Sequence, residues 1–560
     1  MDIRRIFIFA GLALSSYMLF YTWDQDYGSA AKKASSAPET VVTETASDTP
    51  VVTDADAAVS PMSGDVPDVT DVNEQPQIPA SDSQTSAVSG QLVKVETDTL
   101  KVVIDLKGGQ IIDARLKQYP ESLDHPDVPF ALLETSQIRN YVAQSGLLGP
   151  DGVDKNGGAL YTAEQTEYSL GDDDTLQVVL TTSTDKADVK KIYTFHRGQY
   201  LTDVNYRVTN KSQEPWKGVF YAQLKRDGSD DPSKSSSLGM AAYLGAALTT
   251  SDERYLKVTF DDLEEGPYKS VETGGWAAIL QHYFVAAWVP PQDQQHTYNG
   301  RYVKGNYIFG YYDNTVTVLP GETAIMGAQL YTGPKIQDRL EEIAKNLNLV
   351  VDYGILWWLA QPLFWVLTWF HGLSGNWGVA IILLVVSLKL VFFKLNSMSY
   401  RSTANMRKAA PKMQALKDKY GDNREKLGQE MMKLYKSENI NLLGGCLPML
   451  IQMPVFIALY WVLSESVELR QAPFFLWIHD LSLKDPYFIL PLLMGASMFI
   501  QFKFQPTPPD PMQARVMQMM PWMMTIFFLW FPAGLVLYWV VNNVLTIAQQ
   551  YVIIKQVEKS

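Results

Sequence analysis

Hydropathy divides the chain into three regimes. After Arg4 and Arg5 comes IFIFAGLALSSYMLFYTW, an uncharged apolar stretch ending at Trp23, about the length that crosses ~30 Å of hydrocarbon. It is long for a signal peptide and runs straight into DQD rather than small residues, so residues 1–23 are expected to form an uncleaved anchor with a cytoplasmic N-terminus. From 91 to 330 the period is two. Leu100, Val102, Ile104 and Leu106 alternate in one run and Val204, Tyr206 and Val208 in another, with GG at 108, RG at 197 and PG at 320 marking turns. This pattern predicts an all-β domain, and about 240 residues are long for one immunoglobulin-like sandwich, so a larger two-sheet sandwich is expected.

Beyond Tyr353 the third regime holds five strong apolar segments, at about 377–395, 442–463, 486–502, 515–531 and 534–554. With the first helix these make six spans. The segment 354–370 is Trp-rich but interrupted by Gln361-Pro362, which predicts an interfacial element rather than a span. Before it, Ile336, Leu340, Ile343 and Leu347 share one face of a short helix opened by Gly333-Pro334. That helix is expected to lie on the membrane surface, with packing of the same stripe on the β domain as the alternative.

Charge sharpens the division. The net charge of −13 is the sum of −20 over residues 24–330, with 24 basic and 44 acidic side chains, and +7 elsewhere, with 23 and 16. Residues 24–90 have no aromatic after Tyr27 and carry 12 acids against 2 lysines, which reads as a disordered acidic linker. Residues 396–440 carry ten Lys or Arg against five Asp or Glu. Six spans put that stretch and the C-terminus in the cytoplasm, as the positive-inside rule requires, and put 24–330 outside. The stretch reads as two helices, about 397–419 and 423–437, joined at Tyr420-Gly421-Asp422. Its Arg407, Lys408, Lys412, Lys417, Lys419 and Arg424 suit either recruitment of a ribosome or nascent chain or a plain solvated loop.

Much chemistry is excluded. There is one cysteine, Cys446, so no intramolecular disulfide; there is no phosphate loop and no HExxH, and the six histidines are scattered. No enzyme activity, cofactor or DNA partner is indicated. The acidic runs 172–174 and 261–265 read as loops rather than calcium sites.

What remains is Lys389, the one charge in the cores of the five C-terminal spans. It either snorkels toward the edge marked by Lys394 or faces a polar cavity, where an intramembrane charge marks a pathway. Ser387, Gln452, Asn542, Asn543 and Gln549 are the polar side chains that could hydrate such a cavity or bond helices together. Fifteen of the 20 methionines lie between Met398 and Met524, which suits a surface that accepts many apolar partners as well as ordinary packing. A secondary transporter or channel is the alternative class, but it would show internal hydropathy repeats and none is present.

The motifs DYGILWWLAQPLF, NWGVAII, LGGCLPMLIQMPVFIALYWVL, VELRQAPFFLWIHDLSLKDPYFILPLLMG, DPMQ and FFLWFPAGLVLYWVVNN closely resemble the YidC membrane protein insertases of Gram-negative bacteria. The resemblance implies a polytopic α-helical membrane protein with a five-helix core, a periplasmic β-supersandwich and a hydrophilic groove open to cytoplasm and lipid. It implies insertion of nascent membrane proteins into the inner membrane, alone or with the Sec translocon. On this resemblance Lys389 takes the place of the family's groove arginine; the polar Gln452, Asn542 and Asn543 are expected to line the groove with it. Met453, Phe456, Tyr538 and Trp539 would form the apolar contact for an incoming helix. Trp539, Val385 and Lys394 depart from the family pattern, the last two standing where a threonine and a proline are common. Lysine keeps the charge of arginine and loses its planar fork.

Overall fold

The computed structural model describes residues 92–155, 157–233, 242–420, 423–437, 447–505 and 511–559. The expected anchor 1–23, the linker 24–90, the Gly421-Asp422 turn and Cys446 lie outside them.

Alternation builds the first part as expected. In the strand Leu100–Asp105 the side chains of Leu100, Val102 and Ile104 point into the core, and in Leu201–Asn210 those of Val204, Tyr206 and Val208 do so, each at most 2% exposed. Among the described residues, twenty strands between Leu92 and Pro334 pair into an eleven-stranded and a nine-stranded sheet. The pairings are antiparallel except that of Leu92–Glu96 with Glu167–Ser169. The strands Ala277–Leu280 and Phe284–Val289 are buried along their whole length, because both of their faces are covered. The glycines of all three expected turns, Gly109, Gly198 and Gly321, have φ of 57°, 71° and 77°, a region that glycine enters without strain.

Two expectations are corrected here. Residues 261–265 are not a loop: Phe260–Glu265 is a helix, α1, opened by a capping box in which Thr259 and Asp262 satisfy each other's backbone N–H groups. Gly333-Pro334 ends the last strand, Thr323–Pro334, instead of opening a helix. The helix α2 begins three residues later, at Gln337–Ile343, and its apolar stripe belongs to the sandwich. Leu340 and Leu347 are fully buried in the β core, with Ile336 and Ile343 packed against it. The face expected to meet lipid is therefore occupied by protein. An amphipathic pattern specifies one apolar face and leaves open what covers it.

The helical part follows as α3 (Trp357–Ser374), α4 (Trp377–Val391), α5 (Phe393–Tyr420), α6 (Arg424–Ser437), α7 (Leu447–Glu465), α8 (Ile489–Phe502), α9 (Pro511–Phe527) and α10 (Ala533–Lys559). Segment 354–370 opens with a 3-10 turn, Gly354–Leu356, and continues as α3 through Pro362, with Trp357, Trp358, Trp365 and Trp369 exposed. Among the described residues no single helix is long and apolar enough to cross a membrane, but α4 and α5 together are, bent by 69°. The helix expected to run to 395 stops at Val391, so Lys394 lies beyond the bend. The NWG motif explains the other end of α4. The Asn376 side chain accepts a hydrogen bond from Val379 N (3.1 Å) and donates to Phe474 O (3.2 Å). A Cβ on Gly378 would come within 2.0 Å of the Phe474 ring, so only glycine fits.

The sandwich is bolted to this bundle through the loop 466–488. Arg470 donates to Pro120 O (2.8 Å) and Glu121 O (3.0 Å) while its guanidinium lies over the Phe130 and Phe284 rings. His282 Nε2 meets Ser464 O at 2.9 Å, and Lys257 pairs with Asp352.

Candidate functional site

On α4, Ile381, Val385 and Lys389 follow at four-residue spacing, and all three are buried, whereas Leu390 and Val391 are 68% and 75% exposed. Lys389 thus continues the inward stripe of its helix. Its side chain is packed inside the bundle, 6% exposed. Lys389 lines a pocket with Val385, Asn396 from the start of α5, Gln452 from α7, and Tyr538 and Asn542 from α10. The free space is about 20 Å³, room for about one water molecule. No carboxylate lines it among the described residues.

Leu388, Phe392, Leu395, Ile451 and Val455 complete a mostly apolar wall, into which a few polar groups are set. Gln452 Nε2 donates to Asn542 Oδ1 and lies 3.5 Å from the Tyr538 hydroxyl. Lys389 Nζ donates to Thr546 Oγ1 (2.7 Å), and that hydroxyl donates in turn to Asn542 O (2.7 Å). Tyr538, Asn542 and Thr546 are one helical turn apart on one face of α10, so a spacing of four already pointed to Thr546. Thr546 and Asn396 were absent from the sequence-based set because a threonine or asparagine in a helix is common without a role.

The other candidates divide. Asn543 is one residue, and so about 100° around the helix, from Asn542; it donates to Ser497 Oγ of α8 (2.9 Å) and is not at the pocket. Ser387 bonds back to Leu383 O within its own helix (2.9 Å). Phe456 packs beside the pocket, its ring 6.3 Å from that of Tyr538 and 5.2 Å edge-on from that of Trp539. Trp539 also meets Phe528. Met453 is 41% exposed and off the pocket wall. These residues form an aromatic seam between α7 and α10 with one flexible thioether outside it.

The basic hairpin stands apart. Arg407, Lys408, Lys412 and Lys419 are exposed on α5 and Lys417 is half-buried, while Arg424 opens α6. Lys408 Nζ donates to Val557 O (2.5 Å), which ties α5 to the end of α10. Lys419 and Lys426 both approach the Tyr420 ring.

Comparison with known proteins decides the family. A profile described as "YidC periplasmic domain" matches residues 92–366, and one described as "60Kd inner membrane protein" matches 369–560. A "Membrane protein insertase YidC" of Stutzerimonas stutzeri is 52% identical over 561 residues, covering 100% of this chain and 99% of that one. Its namesake in a Marinomonas species is 50% identical, with 100% of both chains covered. The chain belongs to the YidC family of membrane protein insertases. A crystal structure titled as an active YidC insertase is similar over 83% of this chain and 93% of that one, at 18% identity and a TM-score of 0.37. The periplasmic-domain profile of the YidC family covers the whole sandwich and reaches into α3, and the second profile covers the pocket-bearing bundle.

Proposed function

We propose that this chain moves hydrophobic segments of nascent proteins from the cytoplasm into the bacterial inner membrane along the pocket between α4, α7 and α10, with Lys389 as a transient counter-charge for acidic substrate tails. The observation that carries this reading is the inward Lys389, buried at 6% exposure with a neutral hydroxyl as its hydrogen-bond partner. The energetics need no nucleotide. A substrate helix gains a few tenths of a kcal/mol per apolar residue on entering lipid, several kcal/mol over ~20 residues. Its polar tail is the obstacle, since one acidic residue at the bilayer centre costs ~2.5–3.5 kcal/mol on insertion scales. A cation part-way along the path lowers that barrier, and the membrane potential adds ~2.3 kcal/mol per charge per 100 mV for a negative tail moving outward. The pocket must widen to admit a helix, and the aromatic seam of Phe456, Tyr538 and Trp539 supplies the apolar wall on which one would slide.

In this reading the chain spans the membrane six times, with both termini and the basic hairpin in the cytoplasm and residues 24–330 in the periplasm. The hairpin cations Arg407, Lys408, Lys412, Lys417, Lys419 and Arg424 would meet the ribosome and its nascent chain, and the Sec translocon would cooperate on larger substrates. The test is insertion of a small single-span substrate into proteoliposomes holding this protein alone, in wild-type, Lys389→Ala and Lys389→Arg forms. Failure of the alanine form with acidic tails only, and activity of the arginine form, is the expected result. Equal insertion by all three removes the counter-charge role.

A further inference from the structure

We propose that Thr546 is the positioning residue for the Lys389 ammonium: a hydroxyl fixed as an acceptor by its own helix, which holds the charge in the pocket and leaves its other N–H groups for the substrate. The inference rests on the counter-charge reading of Lys389. Three observations carry it. First, the Thr546 hydroxyl has one proton and donates it to Asn542 O at 2.7 Å, a bond that turns its lone pairs away from its own backbone. Second, Lys389 Nζ donates to that oxygen at 2.7 Å, and both residues are nearly sealed, at 6% and 5% exposure. A charge-assisted bond of this length in a dry setting restrains a side chain with four rotatable bonds that would otherwise reach for the edge of the bilayer. Third, the ammonium has three N–H donors, and one bond accounts for one of them.

The arrangement favours a hydroxyl over a carboxylate at position 546. An aspartate there would neutralise the lysine permanently and compete with the substrate tail, whereas a hydroxyl orients the charge without cancelling it. The bond joins α4 to α10 close to the 69° bend between α4 and α5. A substrate carboxylate arriving in the pocket then meets an ammonium whose position is already set, which lowers the ordering cost of each encounter.

The experiment compares Thr546→Val, Thr546→Ser and Lys389→Ala in proteoliposomes holding the full-length protein, with paired single-span substrates whose tails differ only by Asp against Asn. Valine keeps the shape and removes the acceptor; serine restores it. The expected result is a loss of about tenfold in acidic-tail insertion for Thr546→Val, the size of one charge-assisted hydrogen bond. Neutral-tail insertion should stay within about twofold, and Thr546→Ser should recover the acidic substrate. Normal acidic-tail insertion by Thr546→Val beside a defective Lys389→Ala overturns the inference alone. An equal loss for both tails, or no rescue by serine, makes Thr546 a packing residue and also overturns it. Normal insertion by Lys389→Ala overturns the counter-charge reading and this inference with it. If the valine form fails to assemble in the membrane, Thr546→Ala, smaller and helix-compatible, reads the same outcomes.

Discussion

Two of the buried lysines in this chain have opposite surroundings. Lys191, at 0% exposure in the sandwich, donates to Gly108 O (3.2 Å) and Ser145 O (3.1 Å), and its ammonium lies 5.3 and 5.1 Å from the Tyr193 and Tyr206 ring centres. Burial pushes its pKa down to about 7, against a weaker pull from Asp154. Lys389 in the bundle has the Thr546 hydroxyl and a pocket in front of it. The first lysine is enclosed by acceptors from a turn and a strand of the facing sheet and joins two layers of the core. The second has donors to spare beside the pocket that the proposed substrate path would use. Burial alone therefore does not mark a functional charge; burial with unspent hydrogen-bonding capacity does.

The largest effect should come from breaking the enclosed case. A folded-state pKa of about 7 against 10.5 for an ordinary lysine means that, between those values, the unfolded chain binds the extra proton. The contribution of Lys191 to stability is thus present above pH 10.5 and lost as pH falls toward 7. Lys191→Met removes this dependence and leaves two buried carbonyl oxygens without that donor. The advantage of wild type over the methionine form should grow from pH 7 to pH 10 by several kcal/mol, on the order of 1.4 kcal/mol per pH unit at most. Tryptophan-monitored denaturation of the detergent-solubilised protein reads it directly. A gap that stays constant across this range would mean that Lys191 is charged in the folded protein, and the contrast with Lys389 would then lose its physical basis.

A third buried group sits between these extremes. Glu465, just past the expected end of the third span, is 4% exposed at the joint between sandwich and bundle. His282 lies 4.0 Å away, and the charges of Lys335, Lys257, Asp352 and Asp231 act on the carboxyl. Burial pushes it up to about 7, with Lys335 the main opposing pull. Its contribution is full below pH 4.5 and lost as pH rises through 7. His282 runs the other way, held down to about 4 by burial and then by Lys335, so its contribution is present above pH 6.5 and lost as pH falls through 4. The two slopes oppose each other between 4.5 and 6.5. Glu465→Gln removes one of them, so the stability of the variant relative to wild type should rise from pH 4.5 to pH 7, by roughly 1–3 kcal/mol. The same denaturation series checks it; an unchanged difference across that window would assign the joint a fixed ion pair, as enclosed as Lys191.

Legibility followed the same divide between enclosed and open regions. The strands of the sandwich were readable because a half-buried strand must alternate, and Val204, Tyr206 and Val208 do so on one face. The turn glycines were readable because they alone enter positive φ freely. The stripe Ile336 to Leu347 was readable as a stripe and not as a contact, since lipid and a β core select the same residues. In the bundle, apolar residues surround most helices, so hydropathy gives no facing direction. Lys389 stood out by its charge, yet its direction became clear only from Ile381 and Val385 behind it. Asn542 and Asn543 could not be told apart in the sequence, because adjacent residues diverge by about 100° and only the partner helices reveal which faces the pocket.

The smallest expected effect sharpens what the open side of the comparison requires. Gln452 supplies polarity to the pocket and no charge, donating to Asn542 Oδ1 from α7. Gln452→Leu keeps the bulk, removes the donor and leaves that oxygen to water or the substrate. A net hydrogen bond is worth ~0.5–1.5 kcal/mol, so insertion should slow by about two- to tenfold. The slowing should be equal for Asp and Asn tails, since a neutral amide cannot distinguish a charge to first order. Paired-substrate insertion rates decide it. If the leucine form instead fails on acidic tails alone, Gln452 acts through the lysine, and the unspent donors of Lys389 depend on the whole polar wall rather than on Thr546.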